Sequence, residues 1–410
     1  MTRISIIDSL MGSGKTSYAI QMINDNPEKK YIYITPYLDE VQRVKDSCNA
    51  FEEPEANNRT GELKSDSLNK LLLDGKNIVS THALFKLTTK ETVKALEEHS
   101  YTLIMDEVAE VVSNEDFKKD DLPTILKAEL AHIDKSTGYL IWDNADYDGA
   151  YNRIKRLCST KSVIVVNGMA LVWVFPSAIF KKFKETFICT YMFDVQIQKY
   201  YFDLHGITYK YYRVAKDENG RYQLINFDSS YRDDTSKIKI NIYTGTKNAI
   251  GTGDNSSSYS FLSSSWYEKA TKDQLNRMRL NIIGYFKNDL KRSPSDLNLW
   301  TCFKKNQKDL EASPYTKGFL ACNARATNLY KEKTAIAYVI NKFISPVVTG
   351  FFKLNNISIT KLQQERFALS ELLQFVWRSA VREHKEINLY IPSSRMRYIL
   401  QDYLGLARSD

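Results

Sequence analysis

At roughly 100–200 residues per domain, a chain of 410 residues predicts two to three domains, and 43% apolar with 26% charged residues exclude a collagen-like, coiled-coil or disordered chain. Lysine and arginine exceed aspartate and glutamate by 57 to 49, a net charge of +8, which permits a polyanionic partner without requiring one. Five scattered cysteines with no CxxC pair exclude a disulfide framework and a cysteine-rich zinc site, and read as reduced thiols of a cytosolic protein.

The first half alternates short β-branched runs with helical stretches. Arg3–Ile7 predicts a strand and Lys15–Asn24 a helix, followed by a strand at Tyr31–Ile34 and a helix from Leu38. Asn77–Ser80, Tyr101–Met105, Ser162–Val166 and Glu185–Thr190 predict further strands of the same sheet. Apolar strands with little polar alternation predict a parallel sheet covered by helices on both faces. The lysine- and acid-rich segment from about Val112 to Thr160 predicts a mostly helical insertion. Val163–Phe180 carries no charge, but Asn167-Gly168 and Pro176-Ser177 interrupt it. Two buried strands joined by a turn fit it better than a membrane span. Ile4–Ile7 is too short for a signal-peptide core.

Asp217-Glu218-Asn219-Gly220, between Ile207–Arg213 and Tyr222–Asn226, predicts a β-hairpin, and the polar stretch Asp228–Ser236 a linker. Beyond it, Lys239–Tyr243, Asn298–Phe303 and Glu386–Tyr390 predict strands. Residues 267–290, Ala335–Asn341 and Ala368–Arg382 predict helices. The expected division is 1–230, with the insertion at about 112–160, and 235–410.

Three motifs carry chemistry. Gly12-Ser13-Gly14-Lys15-Thr16-Ser17 follows an apolar strand and opens a helix, the context a phosphate-binding loop requires. Glycines let backbone N–H groups curl around phosphate oxygens, and the helix adds its positive end. Lys15 is placed to reach the β- and γ-phosphates and Thr16 to hold Mg²⁺. The consensus opens with glycine where this chain has Ser9. The second motif is Asp106-Glu107 at the end of an apolar strand. Downstream of such a loop, Asp106 reads as a Mg²⁺ carboxylate and Glu107 as the general base for the attacking water. The third is Gln374, Trp377, Arg378 and Arg382, with the two arginines four apart and so expected on one helix face. By themselves they read as solvated arginines.

In order, these motifs make the chain resemble the superfamily-2 DEAD/DEAH-like helicases and translocases, of the divergent kind encoded by bacteriophages and mobile elements. Asp106-Glu107-Val108-Ala109 resembles the Asp-Glu-Ala-Asp/His motif. Thr35-Pro36-Tyr37-Leu38 is similar to motif Ia and Ser80-Thr81-His82 to motif Ic. Cys189-Thr190-Tyr191 stands where Ser-Ala-Thr is usual, and Asn323–Asn328 stands in the motif V place. Gln374 through Arg382 is similar to motif VI, with Trp377 for glycine and one extra residue between the arginines.

The resemblance implies an α/β fold of two RecA-like parallel-sheet lobes with ATP and Mg²⁺ between them. It assigns catalysis to Glu107, Gln374, Arg378 and Arg382, with Arg382 favoured as the finger. Nucleotide contacts fall to Gly12 through Ser17, and nucleic-acid contacts to Thr35, Pro36, Ser80, Thr81, Asn323 and Thr327. The expected activity is an ATP-dependent helicase or translocase, on DNA rather than RNA. It would act in the cytoplasm of a bacterial host, away from membranes, with replication or repair proteins as further partners. The alternatives are a P-loop ATPase switch or motor that does not unwind, and a nucleic-acid-binding scaffold with weak turnover. The intact Lys15, Thr16, Asp106 and Glu107 weigh against the scaffold.

Overall fold

The computed structural model describes residues 3–408 except 37, 57–62, 86–89, 116–117, 119, 169, 229–232, 236–237, 252–258, 314 and 323–328. The chain divides into two compact units, Met1–Ser229 with Ile344–Thr360, and Ser230–Phe343 with Lys361–Asp410.

In the first unit β1 (Arg3–Asp8), β2 (Lys30–Thr35), β3 (Phe51–Glu52), β4 (Asn77–Thr81) and β5 (Tyr101–Asp106) come first. The chain then leaves through β6 (Val112–Asn114), β7 (Ala131–Ile133), β8 (Leu140–Trp142), β9 (Val163–Val166) and β10 (Ala170–Val174). It returns with β11 (Glu185–Thr190), β12 (Lys210–Lys216) and β13 (Tyr222–Asn226). The main sheet runs β13-β12-β1-β11-β5-β2-β4-β3. Every adjacent pair is parallel except β12–β13. All six residues of β5 are buried, as are the last five of β1 and β2. Interior parallel strands are covered on both faces, so they read as continuous apolar runs. Because β1, β11 and β5 are neighbours, the loops leaving their carboxyl ends meet.

The insertion differs from the mostly helical segment expected at 112–160. Its helices are Asp121–Lys127 and Asn152–Ser159. The rest includes the hairpin β7–β8 and a three-stranded antiparallel sheet, β6-β10-β9. Val163–Val166 lies in this small sheet rather than the main one. The reason is local: Asn167 and Gly168 both take positive φ, 51° and 67°, and fold β10 back against β9. The segment has its own apolar cluster, including Leu122, Ile125, Leu140, Ile154, Val163 and Leu171. A helix from far along the chain, Pro346–Leu354, packs on β6, β9 and β10. There Gly350 faces Val166, and the Phe352 ring lies 5.8 Å from Tyr200. Among the described residues no helix is long and apolar enough to cross a membrane.

The second unit carries β14 (Ile240–Ile242), β15 (Asn298–Thr301), β16 (Ala335–Tyr338) and β17 (Ile387–Tyr390) in the order β14-β17-β16-β15, all parallel. Two sequence expectations are corrected here. Ala335–Asn341, expected as a helix, begins with β16, a fully buried central strand. A short apolar run has no period that separates the two states. The helix expected over 267–290 is two helices, Ser264–Lys269 and Lys272–Gly284 with a π-turn after it. They part where Thr271 and Gln274 form a reciprocal capping box. Trp300, Tyr285, Tyr315 and Tyr390 are fully buried in this unit's core.

Candidate nucleotide-binding site

The candidate phosphate-binding loop spans residues 9–14, between β1 and the helix α1 (Lys15–Asp25). Gly12 and Gly14 hold φ at 81° and 99°, a region that only glycine occupies without strain. Lys15 is buried, and its Nζ donates to the carbonyls of Ser9 at 2.5 Å and Leu10 at 3.1 Å. The ammonium is thus held over the loop's own curve, where an anion would take the place of those carbonyls. Ser9, in the consensus glycine position, has a task of its own. Its Oγ accepts the Val214 N–H of β12 at 3.1 Å, and its N–H donates to Thr190 O at 3.1 Å.

Asp106 closes β5 beside the loop. Its Oδ2 accepts the Thr16 hydroxyl at 3.1 Å and the Tyr33 hydroxyl at 3.2 Å. Burial first, then the charges of Glu107 and Glu40, push its carboxyl up from 3.8 to about 7, against the pull of Lys15 and the Thr16 hydrogen bond. A buried carboxylate and a hydroxyl touching each other form the hard-oxygen pair that suits Mg²⁺. A divalent cation would supply the countercharge this carboxyl lacks.

Glu107 follows with φ 71°, a left-handed conformation that is unfavourable for glutamate by about 1–2 kcal/mol. It is held there by its N–H, which donates to Cys189 O at 2.8 Å on β11. Thr190 Oγ1, from the Cys189-Thr190-Tyr191 segment, lies 3.4 Å from Glu107 Oε2 as its donor. The second carboxylate thus sits against the end of β11, near enough for its charge to act on the first.

Two residues of this site, Tyr33 and Asp8, escaped the sequence reading, and a third, His82, entered it only as part of the motif Ic segment. Tyr33 is fully buried beneath Asp106. His82 Nε2 lies 3.1 Å from the Asp106 carbonyl oxygen. Asp8 is buried and accepts the N–H groups of Met192 at 2.8 Å and Phe193 at 2.9 Å. Burial pushes the Asp8 carboxyl up to about 6, partly offset by those two N–H groups. An acid closing an apolar strand was the available signal for Asp8; nothing local singled out Tyr33.

The remaining assignments are spread widely. Thr35 is fully buried and Ser80 nearly so, which withdraws both hydroxyls from any contact with a nucleic-acid strand in this conformation, whereas Pro36 and Thr81 are half-buried. Ser80 pairs with Ile34 and Thr35 with Thr81, so the two side chains stand on opposite faces of the sheet and both are covered. Asn323 and Thr327, with the rest of the motif V segment, lie outside the described residues. Gln374, Arg378 and Arg382 do not share one helix. The helix Lys361–Val376 ends before Arg378, and Ser379 takes an extended backbone (ψ −172°). Ser379 then caps a separate 3-10 turn at Ala380–Glu383. Arg378 is consequently buried and Arg382 exposed, not side by side on one face as expected.

Comparison with known proteins agrees with this architecture. Across its whole length the chain is similar to a solved structure named XPD_APO. The TM-score is 0.51 with 11% identity, covering 100% of this chain and 96% of that one. A structure of S. tokodaii Xpd4 gives a TM-score of 0.46 at 10% identity, over 99% and 94%. At such identity the XPD likeness speaks for fold alone, and it bears out the expected α/β architecture with parallel sheets. Residues 112–173 match the family described as the YonV middle domain, and residues 234–404 the YonV C-terminal Rossmann-like domain. Over 98% of its length the chain is 43% identical to the SPbeta prophage-derived uncharacterized protein YonV of Bacillus subtilis (strain 168), covering 99% of that protein. That relative's prophage origin bears out the expected link to mobile elements. On these grounds the chain belongs to the YonV family.

Proposed function

We propose that this protein is a nucleic-acid-dependent ATPase, a helicase or translocase that works on DNA in the cytoplasm of a bacterial host. One observation carries the reading. The Thr16 hydroxyl and the Asp106 carboxylate, 90 residues apart in sequence, meet at 3.1 Å beside the folded-back Lys15. A phosphate loop and an acidic strand end in contact are the two halves of a nucleotide-hydrolysis site. In this reading Lys15 and the N–H groups of Gly12 through Ser17 hold the phosphates. Thr16 and Asp106 hold Mg²⁺, which withdraws charge from the phosphoryl oxygens when bound. Glu107, in its left-handed backbone conformation and bonded to Thr190, orients the water and takes its proton. Thr81 and the motif V segment are the candidates for strand contact through N–H and hydroxyl groups that track phosphates, with Pro36, which has no N–H, adding only van der Waals contact beside them. Gln374, Arg378 and Arg382 keep their motif VI assignment, with Arg382 the exposed guanidinium.

The test is ATP turnover by the parent and by Lys15→Ala, with no polynucleotide and with single-stranded, duplex and forked DNA and RNA. Turnover is expected to rise with DNA, to vanish in Lys15→Ala, and to lose its stimulation steeply as salt increases through counterion release. A rate that no polynucleotide moves would leave a P-loop switch in place of a motor. Undiminished turnover in Lys15→Ala would remove the site altogether.

A further inference from the structure

The hairpin β12–β13 plays no part in the chemistry assigned above, yet it stands at the phosphate loop. β12 pairs with β1 only as far as Ile7, opposite Tyr212. The residues from Arg213 to Lys216, with their partners on β13, therefore run on past the end of that pairing. They rise at the carboxyl edge, where open parallel sheets take their ligands.

The far strand is tied to the loop's helix. Gln21 of α1 donates its Nε2–H to the Tyr222 carbonyl at 2.8 Å and accepts the Tyr222 N–H at 3.0 Å. Arg221 and Asp25 add an ion pair at 2.6 Å. The Tyr222 ring lies against Gly14, with Cδ1, Cε1 and Cζ nearest. A Cβ built on that glycine would fall 2.1 Å from the ring's Cε1. β13 has no buried residue, and Tyr222 itself is half-buried, so no apolar core accounts for the ring's position. Lys216, its cross-strand partner, brings Nζ to 5.1 Å from the ring centroid.

We propose that Tyr222 is the nucleoside-binding residue of the phosphate-loop site, its ring fixed beside Gly14 as the surface on which the base of a bound nucleotide packs. Lys216 contributes positive charge at the same mouth. Aromatic rings bind bases with little preference among them because every base has a π-face. The site therefore discriminates nucleotide from bare polyphosphate more than it discriminates adenine from guanine. This inference rests on the phosphate-loop reading above.

The experiment compares parent, Tyr222→Ala and Tyr222→Phe for binding of Mg·ATP and of Mg·tripolyphosphate by calorimetry. Tyr222→Ala is expected to weaken ATP binding by about 5–150-fold, the range that loss of one stacked base spans, while Tyr222→Phe stays near the parent. Tripolyphosphate affinity is expected to be the same in all three, which also shows that the loop remains folded. Equal losses of both ligands in Tyr222→Ala would make the ring a support for the loop and overturn the proposal, as would no loss of either. A parent that binds tripolyphosphate as tightly as ATP sinks this inference alone; one that binds neither sinks the phosphate-loop reading and this inference with it.

Discussion

Replacing Asp106 by asparagine is expected to stabilise the nucleotide-free protein while ending its turnover. In the fold this carboxyl sits at about 7 against an ordinary 3.8, chiefly through burial, then through Glu107 and Glu40. A folded pKa above the unfolded one means the fold holds a proton that the unfolded chain has released. Stability is therefore lost as pH rises from about 4 to about 7, and no further above that. At ~1.4 kcal/mol for each pH unit, the ionised carboxylate disfavours the empty fold by on the order of 4 kcal/mol at neutral pH. Asparagine keeps an oxygen to accept the Thr16 and Tyr33 hydroxyls and has nothing to titrate. The measurement is denaturant unfolding of both proteins at about pH 5 and about pH 7.5, with Asp106→Asn gaining roughly 2–3 kcal/mol on the parent between them. Mg·ATP is expected to raise the parent's stability and not the variant's. A variant less stable than the parent, or a gap unchanged between the two pH values, would refute burial of an uncompensated carboxylate as the cause.

Glu107→Gln is expected to bind Mg·ATP near the parent affinity and to turn it over about 10²–10⁴-fold more slowly, as loss of a general base entails; a near-parent rate in a single-turnover assay would acquit Glu107. Ser9→Ala strips the Val214 N–H of its acceptor and should lower unfolding free energy by about 1–3 kcal/mol, which an unshifted denaturation midpoint would contradict. Arg382→Ala is expected to retain nucleotide affinity and lose turnover by roughly the 10³–10⁵ attributed to arginine fingers. Parent-rate hydrolysis in that variant would leave Arg382 an ordinary exposed arginine.

The parts of the site legible in the sequence are those whose chemistry is local. A glycine-rich turn between an apolar strand and a helix announces itself within about ten residues, and Asp106-Glu107 is marked by the uninterrupted run of β5 before it. What stayed hidden depends on partners far away in sequence. Ser9 looks like a lapse from the consensus until Val214, 205 residues on, donates to it. Tyr33 is one of many aromatics until the fold sets it under Asp106. Val163–Val166 reads the same whether it enters a large parallel sheet or a small antiparallel one, because burial, not direction, shapes its composition. The helix expected to reach Arg382 runs on in the sequence because Ala380 and Val381 continue an apolar rhythm, while the break falls at Ser379, whose hydroxyl donates to Val376 O at 2.6 Å, and at Ala380, whose N–H leaves the helix for Lys333 O.

The helix Pro346–Leu354 bears on how such a protein can be cut or recombined. The chain passes between its two compact units at three places, near residues 229, 343 and 360. A fragment ending at 229 would bare the surface of β6, β9 and β10 that this helix covers. The complementary fragment would carry a helix whose Val348, Phe351 and Phe352 are buried in the intact chain and would have nothing left to bury them. Each half would hold an apolar patch suited to sticking to other molecules. An exchange of halves between two such proteins through one crossover near residue 230 would therefore join a middle segment to a foreign helix, and the two would have to fit for the hybrid to stay soluble.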